Sequence, residues 1–163
     1  MSRPSIAVAG VLILIATGFL AAACSSGSDT PQGGASKDAG DQLTQTAETG
    51  GVTVDATWLT AASLGDVDAD LSDYPIDRFA AVEIAFTTHS GDLNKIGMED
   101  AATLRVGTEM ARPETWLSVS DDSHHRQGVL VFERNAQPGS IELLLDLQDS
   151  GTVSLRWQIM PGT

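Results

Sequence analysis

The chain has 163 residues, 42% hydrophobic and 19% charged, enough for one ordinary domain with its own core and no more. Only Arg3 of the nine basic residues precedes Cys24, so the chain beyond that cysteine sets eight basic residues against 22 acidic ones, a balance of −14. Such a surface repels phosphate backbones and anionic headgroups, which excludes nucleic acid as a partner and leaves cations as ligands that the field allows.

A single cysteine excludes an internal disulfide, so the fold rests on its core. Ile6 to Ala23, IAVAGVLILIATGFLAAA, is an uncharged run of 18 residues, just long enough to span a bilayer. It follows a short positive segment at Arg3, ends in small residues and runs directly into Cys24 and SSGS, which is the pattern of a cleaved signal. Leu20-Ala21-Ala22-Ala23-Cys24 resembles the lipobox of bacterial lipoproteins, with alanine where leucine is commonest at the third residue before the cysteine. The resemblance implies that residues 1–23 are a lipoprotein signal peptide. It also implies that the Cys24 thiol takes a diacylglycerol and that the acyl chains hold the protein on the extracytoplasmic face of the cell membrane. An uncleaved signal-anchor helix is the alternative, and it leaves the remaining chain on the same side.

Residues 24–51 continue as Gly, Ser, Thr, Asp and Gln with almost no large apolar side chain. Too little surface is available there to offset the entropy of ordering, so a flexible tether is expected.

From Val52 the pattern changes to period two, and residues 52–163 are expected to form one domain. Seven strands follow in chain order, named here A to G: VTVDATWLT, AVEIAFTTHS, ATLRVG, ETWLSV, GVLVFER, IELLLDLQ and VSLRWQIM. The apolar set that shares the inward face includes Val52, Val54, Ala56 and Trp58 in A, and Val82, Ile84 and Phe86 in B. Leu130 and Phe132 in E, Ile141 to Leu147 in F, and Val153 to Ile159 in G continue it at alternate positions. A helical turn fits only near Met98–Ala101. NAQPGS and DSGT are turn chemistry between the last three strands. Seven strands without a long helix point to an all-β, immunoglobulin-like antiparallel β-sandwich, with a small closed barrel as the alternative. No Cys…Trp…Cys spacing marks an antibody-type domain, and Trp58, Trp116 and Trp157 read as core.

In the immunoglobulin topology strand B pairs with E, so the end of B lies beside the start of E. That brings together His89, which ends B, and His124 and His125, which begin E, with Asp92, Asp121 and Asp122 in the adjoining loops. Imidazoles with a carboxylate suit zinc, copper or nickel, and His89, His125 and either His124 or Asp92 supply three ligands. The alternative is structural, with the histidines and Arg126 fastening the turn and Arg126 pairing with Asp121 or Asp122. THSGDL followed by HHRQGVLVF resembles a set of uncharacterised exported β-sandwich domains of bacteria and archaea. The likeness covers most of Val52 to Thr163 and implies the fold without an activity.

Asp66, Asp68 and Asp70 match the D-x-D-x-D opening of a calcium loop, but Leu71 stands where the EF-hand needs glycine, and Asp77 rather than glutamate ends it. The sequence holds no G-x-S-x-G, H-E-x-x-H, P-loop or C-x-x-C. His89 and Ser90 are adjacent in an extended segment, where neighbouring side chains point apart. The expectation is a non-enzymatic, lipid-anchored binding module with a protein partner in the cell envelope, or alternatively a copper or zinc protein.

Overall fold

Alternation of polar and apolar residues, rich in Val, Ile and Thr, produces nine strands in a computed structural model that describes residues 43–134 and 139–159. They are β1 (Thr44–Thr49), β2 (Val52–Trp58), β3 (Phe79–Thr88), β4 (Ala102–Val106), β5 (Glu109–Ala111), β6 (Thr115–Asp121), β7 (His125–Glu133), β8 (Ser140–Asp146) and β9 (Thr152–Gln158). One sheet has the order β1-β2-β3-β7-β6 and the other β5-β4-β8-β9, with every pairing antiparallel. In the lettering above, the first holds A-B-E-D and the second C-F-G, which is the immunoglobulin arrangement with one strand added to each sheet. Two separate sheets set the closed barrel aside.

The alternating side chains meet between the sheets. Val54, Val82, Ile84, Leu130, Phe132, Leu143 and Leu145 are fully buried there, with Trp157 and Phe86 the largest side chains enclosed. Burial of each such side chain is worth about 1.5–3 kcal/mol against exposure, and this is what holds the layers together. Trp58 and Trp157 pack against each other with ring centroids 6.1 Å apart. The one-turn helix Met98–Ala101 lies where expected and buries Met98.

Two strands go beyond the seven expected. The shorter, β5, extends the edge beside β4. The other, β1, occupies Thr44–Thr49 inside the stretch expected to be tether up to Gly51, so the ordered domain begins earlier than Val52. The sequence TQTAET has no apolar alternation because an edge strand needs little. Ala47 and Leu43 pack on the core, while Thr46 Oγ1 donates to Asp55 at 2.6 Å and the Thr44 and Thr57 hydroxyls lie 3.0 Å apart. Gly50 and Gly51, with φ of 53° and 78°, form the tight hairpin turn that needs left-handed residues. The hairpin also reaches across the sandwich. Thr49 Oγ1 donates to the Ser150 carbonyl at 2.9 Å, and the Trp157 indole N–H donates to the Leu43 carbonyl at 2.7 Å. Strand β1 is thereby fastened to both sheets at one edge.

The long β2–β3 connection folds over the outside of the five-stranded sheet. Val67, Ala69, Leu71 and Tyr74 cover Leu59, Ala81, Val129 and Val131 as a second, smaller apolar cluster. The outer face of the four-stranded sheet has no such cover among the described residues.

Candidate functional site

The backbone brings the histidine-bearing segments together as the topology requires. Thr87 sits opposite His125, and the Thr88 N–H donates to the His124 carbonyl at 3.0 Å. The Leu93 N–H donates to the Ser123 carbonyl at 2.9 Å, so the turn that starts at Asp92 lies against the β6–β7 turn. His89, Asp92, Asp121, Asp122, His124 and His125 therefore share one end of the sandwich, and all are exposed.

Shared location does not make a ligand set. Among the described residues no group of three His, Cys, Asp or Glu side chains is placed to hold a metal. The carboxylates serve the turns instead. Asp92 Oδ1 accepts from the Asn94 N–H at 3.1 Å, and Asp122 Oδ1 accepts from the His124 and His125 N–H groups at 2.8 and 3.2 Å. Those two backbone donors, chiefly His124, hold the Asp122 carboxyl below the usual carboxylate range. The rings engage hydroxyls, with His124 Nδ1 3.2 Å from Ser123 Oγ and His125 Nδ1 3.5 Å from Thr87 Oγ1. Ser123 and His124 lie within hydrogen-bond distance, yet the nearby carboxylate binds backbone rather than orienting the imidazole as a catalytic triad requires.

Arg126 is the residue that organises this end. Counting back from Leu130 by twos puts Gly128 and Arg126 on the core face, and the structure places both there. The Trp116 ring occupies the space that Gly128 leaves, so a Cβ on that glycine would lie 2.5 Å from Trp116 Cζ2 and from the Leu117 carbonyl. Arg126, only 9% exposed, lies 5.3 Å from the Trp116 ring centre and donates to the Leu93 and Ile96 carbonyls at 3.1 and 2.6 Å. Its Nε meets Asp121 Oδ1 at 3.2 Å, the ion pair expected from the sequence. This end of the core is closed by a guanidinium, which suits the role because several donors in a plane satisfy backbone carbonyls and a carboxylate together.

The aspartates of DVDADLSD alternate with the strap residues Val67, Ala69 and Leu71. Packing those apolar side chains inward leaves Asp66, at the end of the 3-10 turn Leu64–Asp66, and Asp68 and Asp70 beyond it exposed to solvent, and the three are not placed to hold one ion. Asp70 Oδ1 accepts from the Ser72 N–H at 3.0 Å, and hydrogen bonds from Ser72 lower its pKa.

The polar constellation that sequence reading missed lies across the outside of the four-stranded sheet. Met110, Arg105, Glu142 and Arg156 face one another in register along one row. Glu142 is 5% exposed although it is on the outer face, because its neighbours cover it. Arg105 Nη2 donates to its Oε2, while Ser154 Oγ and Arg156 Nε, the latter at 2.9 Å, donate to Oε1. The signal was present in L-R-V, I-E-L and L-R-W, three strands in which one charge sits between two inward apolar residues. Register was needed to show that the three charges meet.

Cys24 lies outside the described residues. Among the described residues no helix is long and apolar enough to cross a membrane. Comparison with known proteins finds no matching family model, no matching curated protein and no matching solved structure.

Proposed function

We propose that this chain is a lipid-anchored, extracytoplasmic binding module that meets a partner in the cell envelope through the outer face of its four-stranded sheet, without catalysing a reaction. The lipobox-like segment at Cys24 supports the anchor, and the Gly- and Ser-rich residues after it support a tether that lets the domain reach a partner. The carrying observation is the difference between the two outer faces. The apolar part of the five-stranded face is covered by the protein's own strap, and its polar part is closed by pairs such as Gln127 Nε2 with Glu83 Oε1 at 2.9 Å. The four-stranded face carries two exposed guanidiniums and, beside them, Met110 at 64% exposure, the one exposed large apolar side chain among the described residues. An arginine-and-methionine surface with few lysines has the composition of a protein contact.

A photo-cross-linking residue at Leu144, on that face, should give a discrete adduct in intact cells, whereas the same residue at Asp68 on the strap should not. Equal adducts from both positions, or none from Leu144, would refute this reading. Labelling with a radioactive fatty acid tests the anchor, since the Cys24→Ser chain should take up none.

A further inference from the structure

A shallow depression of about 360 Å³ opens beside the buried glutamate, lined by Arg105, Gly107, Ser140, Glu142, Arg156 and Gln158. Two guanidiniums face one carboxylate there, so the depression carries a surplus positive charge in a chain whose total is −13. Both oxygens of Glu142 are occupied, and its side chain is only 7% exposed, against 45% for Arg105 and 68% for Arg156. The glutamate thus fixes both guanidiniums while using a minority of their donors. Arg105 gives Glu142 its Nη2, and Arg156 gives its Nε and Nη2. The remaining N–H groups stay available in a planar fork matched to an oxyanion, and their positions are already paid for by the fold.

We infer that this depression binds a carboxylate side chain presented by an acidic segment of a partner protein. The inference rests on the reading of the four-stranded sheet as the docking face, and it names the chemistry of the partner. Three observations select a peptide carboxylate. The fork supplies paired donors. Met110 continues the same row beside Arg105 and offers an apolar contact that a free inorganic anion would not use. The acidic remainder of the surface repels extended polyanions, but that repulsion is screened beyond roughly 10 Å at 0.1 M salt, so a short acidic segment reaches the fork.

The test uses the full chain in detergent micelles, labelled with ¹⁵N at arginine. The probe is a blocked Gly-Glu-Leu-Gly peptide, compared with its Gln counterpart and with inorganic phosphate. The Nε–Hε resonances of Arg105 and Arg156 should move saturably with the Glu peptide. Loss of one charge-assisted contact corresponds to roughly tenfold in affinity, so the Gln peptide, Arg105→Gln and Arg156→Gln should each weaken binding by about that factor. Arg112→Gln, away from the depression, should leave it unchanged. If Arg105→Gln fails to fold, Arg105→Lys keeps the charge beside Glu142 but loses the fork, and should still weaken the peptide. Resonances that do not move, a Gln peptide that binds equally, or phosphate saturating the site when the Glu peptide does not would each overturn the inference. If the peptide fails while cross-links from Leu144 still form, the docking face stands and only its carboxylate chemistry falls. If both fail, the docking face falls as well.

Discussion

Gly128 is a buried residue inside β7, and Gly128→Ala tests how the Trp116 end of the core is packed. A Cβ there would lie 2.5 Å from Trp116 Cζ2, 2.8 Å from Cη2 and 2.5 Å from the Leu117 carbonyl oxygen. Carbon contacts prefer about 3.5–4.0 Å, so the ring and β6 would have to retreat by roughly 1 Å. The ring could turn, but the Leu117 carbonyl belongs to the β6–β7 ladder and moves only with its strand. Overpacking of this kind costs about 1–3 kcal/mol, and the backbone clash places this site near the upper value. Against it stands a gain of about 0.4–1 kcal/mol from the stiffer unfolded chain, which leaves a net loss of about 2 kcal/mol. With a urea slope of about 1–3 kcal/mol/M, the midpoint should fall by about 0.7–2 M without a change in slope. Gly65→Ala is the control, because nothing lies within 4 Å of its added Cβ. In a Trp116→Ala background the cost of Gly128→Ala should shrink, since two of the three close atoms are gone. A Gly128→Ala protein as stable as Gly65→Ala would refute the packing argument.

Arg126→Ala leaves the Leu93 and Ile96 carbonyls without their guanidinium and should cost about 3 kcal/mol by urea unfolding, and Arg126→Lys should recover less than half, since an ammonium lacks the planar fork. A full recovery by lysine would show that charge alone matters. A chain beginning at Val52 lacks β1 and its bonds to Trp157 and Ser150, so it should melt well below one that retains Leu43, and equal melting would contradict the role of β1. Asp122 has a lowered pKa, so its hold on the β6–β7 turn is complete above the ordinary carboxylate range and is lost as pH falls through the lowered value. The His124 and His125 amide resonances should therefore titrate with a midpoint below 3.8, and a higher midpoint would remove the capping role. Copper(II) or zinc titrated into the chain should give no tight one-to-one site. A tight site that His89→Ala abolishes would instead support copper or zinc binding at the histidines.

The alternation that named the strands also named the core, because in a sandwich the same side chains that define the period are the ones buried. Val54, Ile84, Leu130, Leu143 and Leu155 all face inward as their phase required. Strand β1 escaped because its side chains are polar on both faces. The Gly50-Gly51 pair after TQTAET was the available hairpin signal. Proximity of the histidines was legible from topology, but what their side chains touch was not, because backbone pairing sets Cα positions and leaves ring orientation to local hydrogen bonds. Arg126 takes the last inward position of its strand before the turn, and His124, two residues back, is exposed. Glu142 was hidden for the opposite reason. It looks like a solvated outward charge until strand order places Arg105 and Arg156 on either side of it.

The most direct test of a tethered module that docks through its four-stranded sheet is photo-cross-linking in intact cells from three positions of the full chain: Leu144 on that face, Asp68 on the strap and Thr53 on the other sheet. A single discrete adduct should form from Leu144 and disappear in the Arg105→Gln, Arg156→Gln double variant, with no discrete adduct from Asp68 or Thr53. An adduct from Asp68 or Thr53 with none from Leu144, or a Leu144 adduct indifferent to both arginines, would contradict docking through the four-stranded sheet.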